Sequence, residues 1–190
     1  EIMSSDWSSD VCSSDLGDYA LGIFSSKWCR FMDKSSWRLC QTEDNRQALA
    51  CGRWLCHESC WGAAQACMEK GEPVDIECAG GIRLYAVPIR CEGEIIGTIN
   101  LGYGDPPQDW STLLKLARTY RVNINDLFQS AKCYEPRPSF LIENAKRRME
   151  TAARLIGEIV ERRQVEKTLR ERESFIKSTL DNLPVGVAVN

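Results

Sequence analysis

The sequence predicts an α+β fold: an antiparallel sheet with flanking helices, followed by a long C-terminal coiled-coil helix. Three observations carry this. Residues 74–78, Val-Asp-Ile-Glu-Cys, alternate apolar and acidic side chains; apolar runs at 82–89 and 95–101 follow, joined through Glu92-Gly93-Glu94, which is the pattern of an antiparallel meander. Ahead of them, 58–70 reads as a helix that stops at Gly71, with Pro73 just beyond. Beyond Pro136 and Pro138, residues 140–182 are glycine-poor and rich in balanced charge, the composition of a long solvent-bathed helix.

Taken in order, residues 1–16 come first. They repeat Ser-Ser-Asp three times and hold almost no core-forming side chains, so they are expected to be a non-native or disordered tail; Val11-Cys12-Ser13-Ser14-Asp15-Leu16 has the look of a translated sequencing adapter. Between Tyr19 and Cys40 the apolar residues Leu21, Ile23, Phe24, Trp28, Phe31 and Met32 are irregularly spaced, and we expect a short strand and then a helix. Residues 42–55 read as a helix capped by Thr42, with Gly52 weakening its interior. The 58–70 helix and the three strands follow, with Ala79-Gly80-Gly81 breaking the first strand from the second. Residues 110–120 and 125–134 read as two short helices. Their spacing resembles a helix-turn-helix, but the second would offer Asp126, Gln129 and Lys132 and no cluster of basic side chains for phosphates. In the long helix Met149, Ala152, Ile156 and Ile159 step by three and four as a coiled-coil seam. The apolar line resumes out of phase at Val165, Leu169, Arg172, Ile176 and Leu183, a stutter. The alternative is an amphipathic helix folded against its own domain. Residues 183–190 start a strand and are expected to be the truncated opening of another domain.

Composition bounds the function. The 190 residues allow one compact domain, expected over 17–138, plus the helical extension over 139–182. A net charge of −3 gives no long-range pull toward nucleic acid. No run approaches the ~18 apolar residues of a membrane span, and no signal-peptide pattern is present. We therefore expect a cytoplasmic fragment with no nucleic-acid partner. Ten cysteines in a chain of this length fit a reducing compartment better than a disulfide framework. The thiols are then small buried hydrophobes, metal ligands or redox-reactive groups.

Cys56, Cys60 and Cys67 lie at i, i+4 and i+11, within about 40° on one helical face, and Cys78 follows on a strand expected to pack against it. With Cys29 these thiols could ligate zinc or an iron–sulfur centre, although the spacing is not that of a zinc finger or ribbon; packing beneath a sheet is the other reading. His57 is the single histidine. A Cys-His nucleophile is weakened because adjacent helical residues do not face each other, so a thiol-dependent enzyme ranks third among the functions and no catalytic residue is assigned. Trp61, Arg83 and Tyr85 are amphipathic side chains expected near a pocket bounded by the helix and strands. The ligand-binding set is therefore Cys56, His57, Cys60, Trp61, Cys78, Arg83 and Tyr85, with Cys29, Cys56, Cys60 and Cys78 as the metal-binding alternative.

Four blocks of residues resemble the PocR-type sensory domain: Phe24-Ser25-Ser26-Lys27-Trp28-Cys29; Cys56-His57-Glu58-Ser59-Cys60-Trp61; Gly71 through Cys78-Ala79-Gly80-Gly81-Ile82; and Ala86-Val87-Pro88-Ile89. The resemblance implies a PAS/GAF-like fold that senses small organic molecules ahead of histidine kinase, cyclase or transcription-factor output modules. Cys29, Cys56 and Cys78 match the family's recurrent cysteines, and Gly81 and Pro88 its turn and strand positions; Cys60 and Cys67 are additional. The family's opening strands should precede Phe24, where this chain has the Ser-Ser-Asp repeat, so the sheet is expected to lack part of its opening. Residues 161–190 resemble a signalling helix and the first strand of a following PAS domain in a sensor histidine kinase. The implied partners are a small organic ligand, a second copy of the chain through the C-terminal helix, and downstream PAS and kinase domains.

Overall fold

The computed structural model describes residues 26–181 in full and, for 8–13 and 19–23, the course of the main chain. The elements are β1 (Ser8–Ser13), β2 (Tyr19–Ile23), α1 (Lys27–Arg38), α2 (Asn45–Ala50), α3 (Leu55–Lys70), β3 (Val74–Glu77), β4 (Arg83–Cys91), β5 (Glu94–Tyr103), α4 (Trp110–Tyr120), α5 (Ile124–Lys132) and α6 (Ser139–Asp181). The strands form one antiparallel sheet in the order β2-β1-β5-β4-β3. The α+β architecture is the one the alternation and punctuation predict. Residues 183–190, the expected opening of a further domain, lie outside the described residues, as do Phe24 and Ser25 of the first resemblance block.

Local chemistry sets the boundaries. Ser26 Oγ accepts from the Cys29 N–H at 3.0 Å and caps α1; Asp109 accepts from the Thr112 N–H at 2.8 Å and caps α4. Helix α3 ends where Gly71 turns left-handed, at φ 69°, and donates to the Cys67 carbonyl. Glu92 and Gly93, both at positive φ, close the β4–β5 hairpin.

Alternation then gives the β3-β4-β5 sheet two distinct faces. On one, Val74, Leu84 and Ala86 pack against Ala63 and Cys67 of α3. On the other, Val87, Ile89, Ile99 and Leu101 pack against Met149 and Ala153 of α6. A third cluster, with Trp28, Met32, Ile82, Leu113, Tyr120 and Leu127 at its heart, joins α1, α4 and α5 to the start of β4. The helix-turn-helix-like pair thus spends its apolar face on this core.

Four expectations are corrected. The helix expected over 42–55 is only Asn45–Ala50, capped by Asp44 rather than Thr42, because the Thr42 hydroxyl is taken by the Asp44 N–H and Gly52 turns left-handed at φ 64°. Residues 8–13 of the Ser-Ser-Asp stretch, expected to form no element, run as β1 between β2 and β5, so the sheet does have strands ahead of α1. A β-ladder is made of main-chain groups, and the open edge of β5 can pair with an extended segment whatever its side chains. The stretch read as the start of a coiled-coil seam is used within the domain: Met149 is buried on the sheet and Ala152 and Ile156 pack partly against it, which is the amphipathic alternative for this part of α6, while Ile159 is exposed. Finally, Cys40 and Cys51, whose Cα atoms are 5.9 Å apart across α2, form a disulfide where reduced thiols were expected.

Candidate functional site

A cavity of about 50 Å³ opens between α1, the N-terminal half of α3, and the β3–β4 turn with the facing strand ends. Trp28, Cys29, Met32 and Asp33 come from α1, Cys56 and Cys60 from α3, Cys78, Gly80 and Ile82 from the turn, and Leu84 and Gly102 from β4 and β5. The wall is almost wholly apolar or thiol.

Each wall is pinned by hydrogen bonds. The Trp28 indole Nε1 donates to the Gly80 carbonyl at 3.1 Å, tying α1 to the turn. Ser59 Oγ accepts from the Ala79 N–H at 3.0 Å while donating to the Leu55 carbonyl at 2.8 Å, which seats the start of α3 on the same turn. Asn100 Nδ2, buried in β5, donates to the Cys60 carbonyl at 2.9 Å. The turn itself closes through the Cys78 N–H to the Ile82 carbonyl at 2.7 Å, with Gly81 at φ 77° against the Pro107 ring.

The expected cysteines converge. Cys29, Cys56, Cys60 and Cys78 all line this cavity. Cys67 does not; it faces the buried side of the sheet, and burial lifts its thiol to about 11. Burial likewise raises the Cys56 thiol far above the usual range, opposed only by a hydrogen bond with Ser36, and raises that of Cys78. These thiols stay protonated at neutral pH, the opposite of an activated nucleophile. Among the described residues no three of His, Cys, Asp and Glu are placed to hold a metal ion together.

The remaining expected residues part company. His57 is buried behind the cavity wall, its ring centroid 5.3 Å from that of Trp54. Trp61 is partly exposed and is not in the lining. Arg83 and Tyr85 project from the opposite face of the sheet. Arg83 pairs with Asp75 at 2.8 Å, and Tyr85 donates to Glu150 of α6 at 2.6 Å. Lys146 of α6 completes this second cluster, 2.9 Å from Asp75 and over the rings of Tyr85 and Tyr103.

Sequence reasoning missed Trp28, Met32 and Asp33. Trp28 and Met32, at i and i+4 behind the Ser26 cap, were the available signal for an inward helix face. Asp33 had none, because its place depends on Trp54, whose Nε1 donates to Asp33 Oδ1 at 2.6 Å across 21 residues. Burial raises the Asp33 carboxyl above its ordinary value, and the Trp54 bond offsets this only in part. Near the same wall the Tyr120 hydroxyl is buried with no hydrogen-bond partner among the described residues.

A family model described as the sensory domain found in PocR matches residues 14–164. No curated protein and no solved structure is significantly similar to the chain.

Proposed function

The chain belongs to the family of sensory domains found in PocR, and on that premise we propose that it is the small-molecule input module of a cytoplasmic signal-transduction protein, a histidine kinase of a two-component system, with the ligand in the cysteine-lined cavity. One observation carries this reading: the cavity and the long helix lie on opposite faces of the same two strands. Leu84 and Gly102 line the cavity, while their neighbours Tyr85 and Leu101 meet α6. Filling the cavity would shift the strands that α6 rests on. A ligand acts only through different affinity for two arrangements of α6, and a dimer of α6 would pass that difference to PAS and kinase domains downstream. Among the described residues no helix is long and apolar enough to cross a membrane. The family is sensory, and the protonated thiols support a non-enzymatic module. Native mass spectrometry of the chain, wild type and Leu84→Trp, tests the pocket. A bound small molecule lost when the indole fills the cavity is expected; an adduct unaffected by Leu84→Trp would place the ligand elsewhere.

The convergence of four thiols favours one second reading, a cysteine-ligated zinc or iron–sulfur centre that forms when the side chains close on the ion and lose their protons. Elemental analysis of protein purified without oxygen decides it. Stoichiometric zinc or iron lost in a Cys56→Ser, Cys78→Ser double variant would establish the centre, and metal-free wild-type protein would remove it.

A further inference from the structure

We propose that Cys40 and Cys51 are a reversible dithiol–disulfide site whose state sets how firmly α1 and α3 close the cavity between them. The inference takes the cytoplasmic placement from the function proposed above and is independent of what the cavity binds.

The bond joins two helices that the chain otherwise connects through a loosely held segment. Cys40 follows α1 directly, its N–H donating to the Trp37 carbonyl at 2.9 Å, and Cys51 closes α2 just ahead of Leu55, where α3 starts. Within 41–53 only Ala48 is buried, so the covalent bond is the main fastening of this segment. Helices α1 and α3 supply Trp28, Met32, Asp33, Cys56 and Cys60 to the cavity wall. Between Cys51 and that wall stands Trp54, which packs edge-on against Trp37 at 4.7 Å and donates to Asp33 at 2.6 Å. Movement of Cys51 away from Cys40 therefore reaches the wall through Trp54.

The fold does not depend on the bond. Three apolar clusters supply its core, whereas structural disulfides serve small secreted domains that lack one; in a reducing cytosol a disulfide is usually transient and redox-sensing. Cys40 and Cys51 are both partly exposed, so a cellular thiol can reach them. Burial keeps the Cys56 and Cys78 thiols protonated and encloses Cys67 and Cys91, which makes these four poor competitors for exchange. In reduction a glutathione thiolate attacks one sulfur of the bond and expels the other as a thiolate, which takes up a proton. A second glutathione resolves the mixed disulfide and releases the remaining cysteine. Two electrons and two protons pass to the pair, and glutathione leaves as its own disulfide. Opening the bond returns to the chain the freedom that a cross-link between residues 11 apart removes, and the start of α3 loosens with it.

The test equilibrates the folded chain in glutathione buffers from fully oxidised to fully reduced, traps the thiols with N-ethylmaleimide, maps the bonds by mass spectrometry and follows hydrogen exchange. The Cys40–Cys51 bond is expected at the oxidised end and lost at the reduced end, with exchange at 41–53 and at 58–60 of α3 at least about tenfold faster in the reduced chain. A bond that survives fully reduced glutathione is structural and overturns the inference. So does a pair that stays open, or carries glutathione, at the oxidised end, and so does exchange at 58–60 that ignores the redox state. A Cys40→Ser, Cys51→Ser double variant should match the reduced wild type in every buffer. A redox response of α3 that persists in this variant overturns the assignment to the pair; if the variant does not fold, the wild-type bond map and exchange decide. The ligand is reported separately by the Leu84→Trp adduct, so failure here leaves the sensor reading standing.

Discussion

Gly157 of α6 lies against the carbonyl oxygen of Arg90 in β4, so close that a Cβ at 157 would overlap that oxygen. The neighbour is backbone within a paired strand and cannot swing away as a side chain could. In an unconstrained helix Gly→Ala stabilises by about 1 kcal/mol. Here overpacking, worth typically about 1–3 kcal/mol, opposes that gain and should win. Gly157→Ala is therefore expected to lower stability in urea unfolding and to speed hydrogen exchange around Met149 and Ala153. A stabilised variant would mean that α6 does not rest on β4 at this point.

Lys146 is the second tether. It bonds to Asp75 at 2.9 Å and to the Tyr103 hydroxyl at 3.1 Å, with its stem across two tyrosine rings and its side chain only 17 % exposed. Lys146→Met keeps the stem and removes the charge. Because the partners remain partly exposed and Arg83 still serves Asp75, the loss should be only about 1 kcal/mol, and it should shrink in high salt. Urea unfolding at low and high salt measures both; a loss that ignores salt would assign the contact to packing alone.

The same cluster fixes an acid response. Burial pushes the Asp75 carboxyl up, but hydrogen bonds from Tyr103, Lys146 and Arg83 outweigh it and hold the group below its ordinary 3.8. A depressed carboxylate contributes stability that is fully present above the unfolded value and is lost as pH falls through the folded one. The hold on α6 should thus be constant near neutrality and weaken below about pH 4. Glu143 and Glu150 of α6 also face this cluster. Asp75→Asn should flatten the acid limb of stability against pH; an unchanged limb would remove Asp75 as its source.

The β3-β4-β5 part of the sheet was legible because its signals are local, whereas β1 pairs through its main chain and carries no side-chain signal. Gly71 and Pro73, the alternation at 74–78 and the Glu92-Gly93 turn each act within a few residues. The same alternation, carried into β4, puts Arg83 and Tyr85 on the face away from Leu84, which lines the cavity, so their assignment to that pocket was not supported by the strand period. The cavity's other wall was hidden for a different reason. Trp28 meets Gly80 across 52 residues, and Asp33 meets Trp54 across 21, and no local propensity encodes such contacts. In α6 the apolar steps at 149–159 were visible, but a sheet and a second helix ask for the same periodicity, so the pattern alone could not choose between them.

Past the sheet, α6 exposes Ile159, Leu169, Ile176 and Leu180, each more than half accessible. Leu169 to Ile176 is one heptad and Ile176 to Leu180 a further four residues, a seam that continues after the domain has taken Met149 and Ala153. If a second copy covers this seam, Leu169→Glu with Ile176→Glu should abolish the dimer in sedimentation velocity. Like charges would then be buried opposite one another. Both residues are exposed in the single chain, so thermal unfolding of the domain should be unchanged within about 0.5 kcal/mol. That combination separates a dimer seam from a folding role: loss of the dimer with an intact domain supports transmission through paired α6 helices. A wild-type chain that sediments as a monomer at high concentration removes the α6 dimer from the signalling route, and ligand-driven release of α6 from the sheet becomes the mechanism that has to carry it.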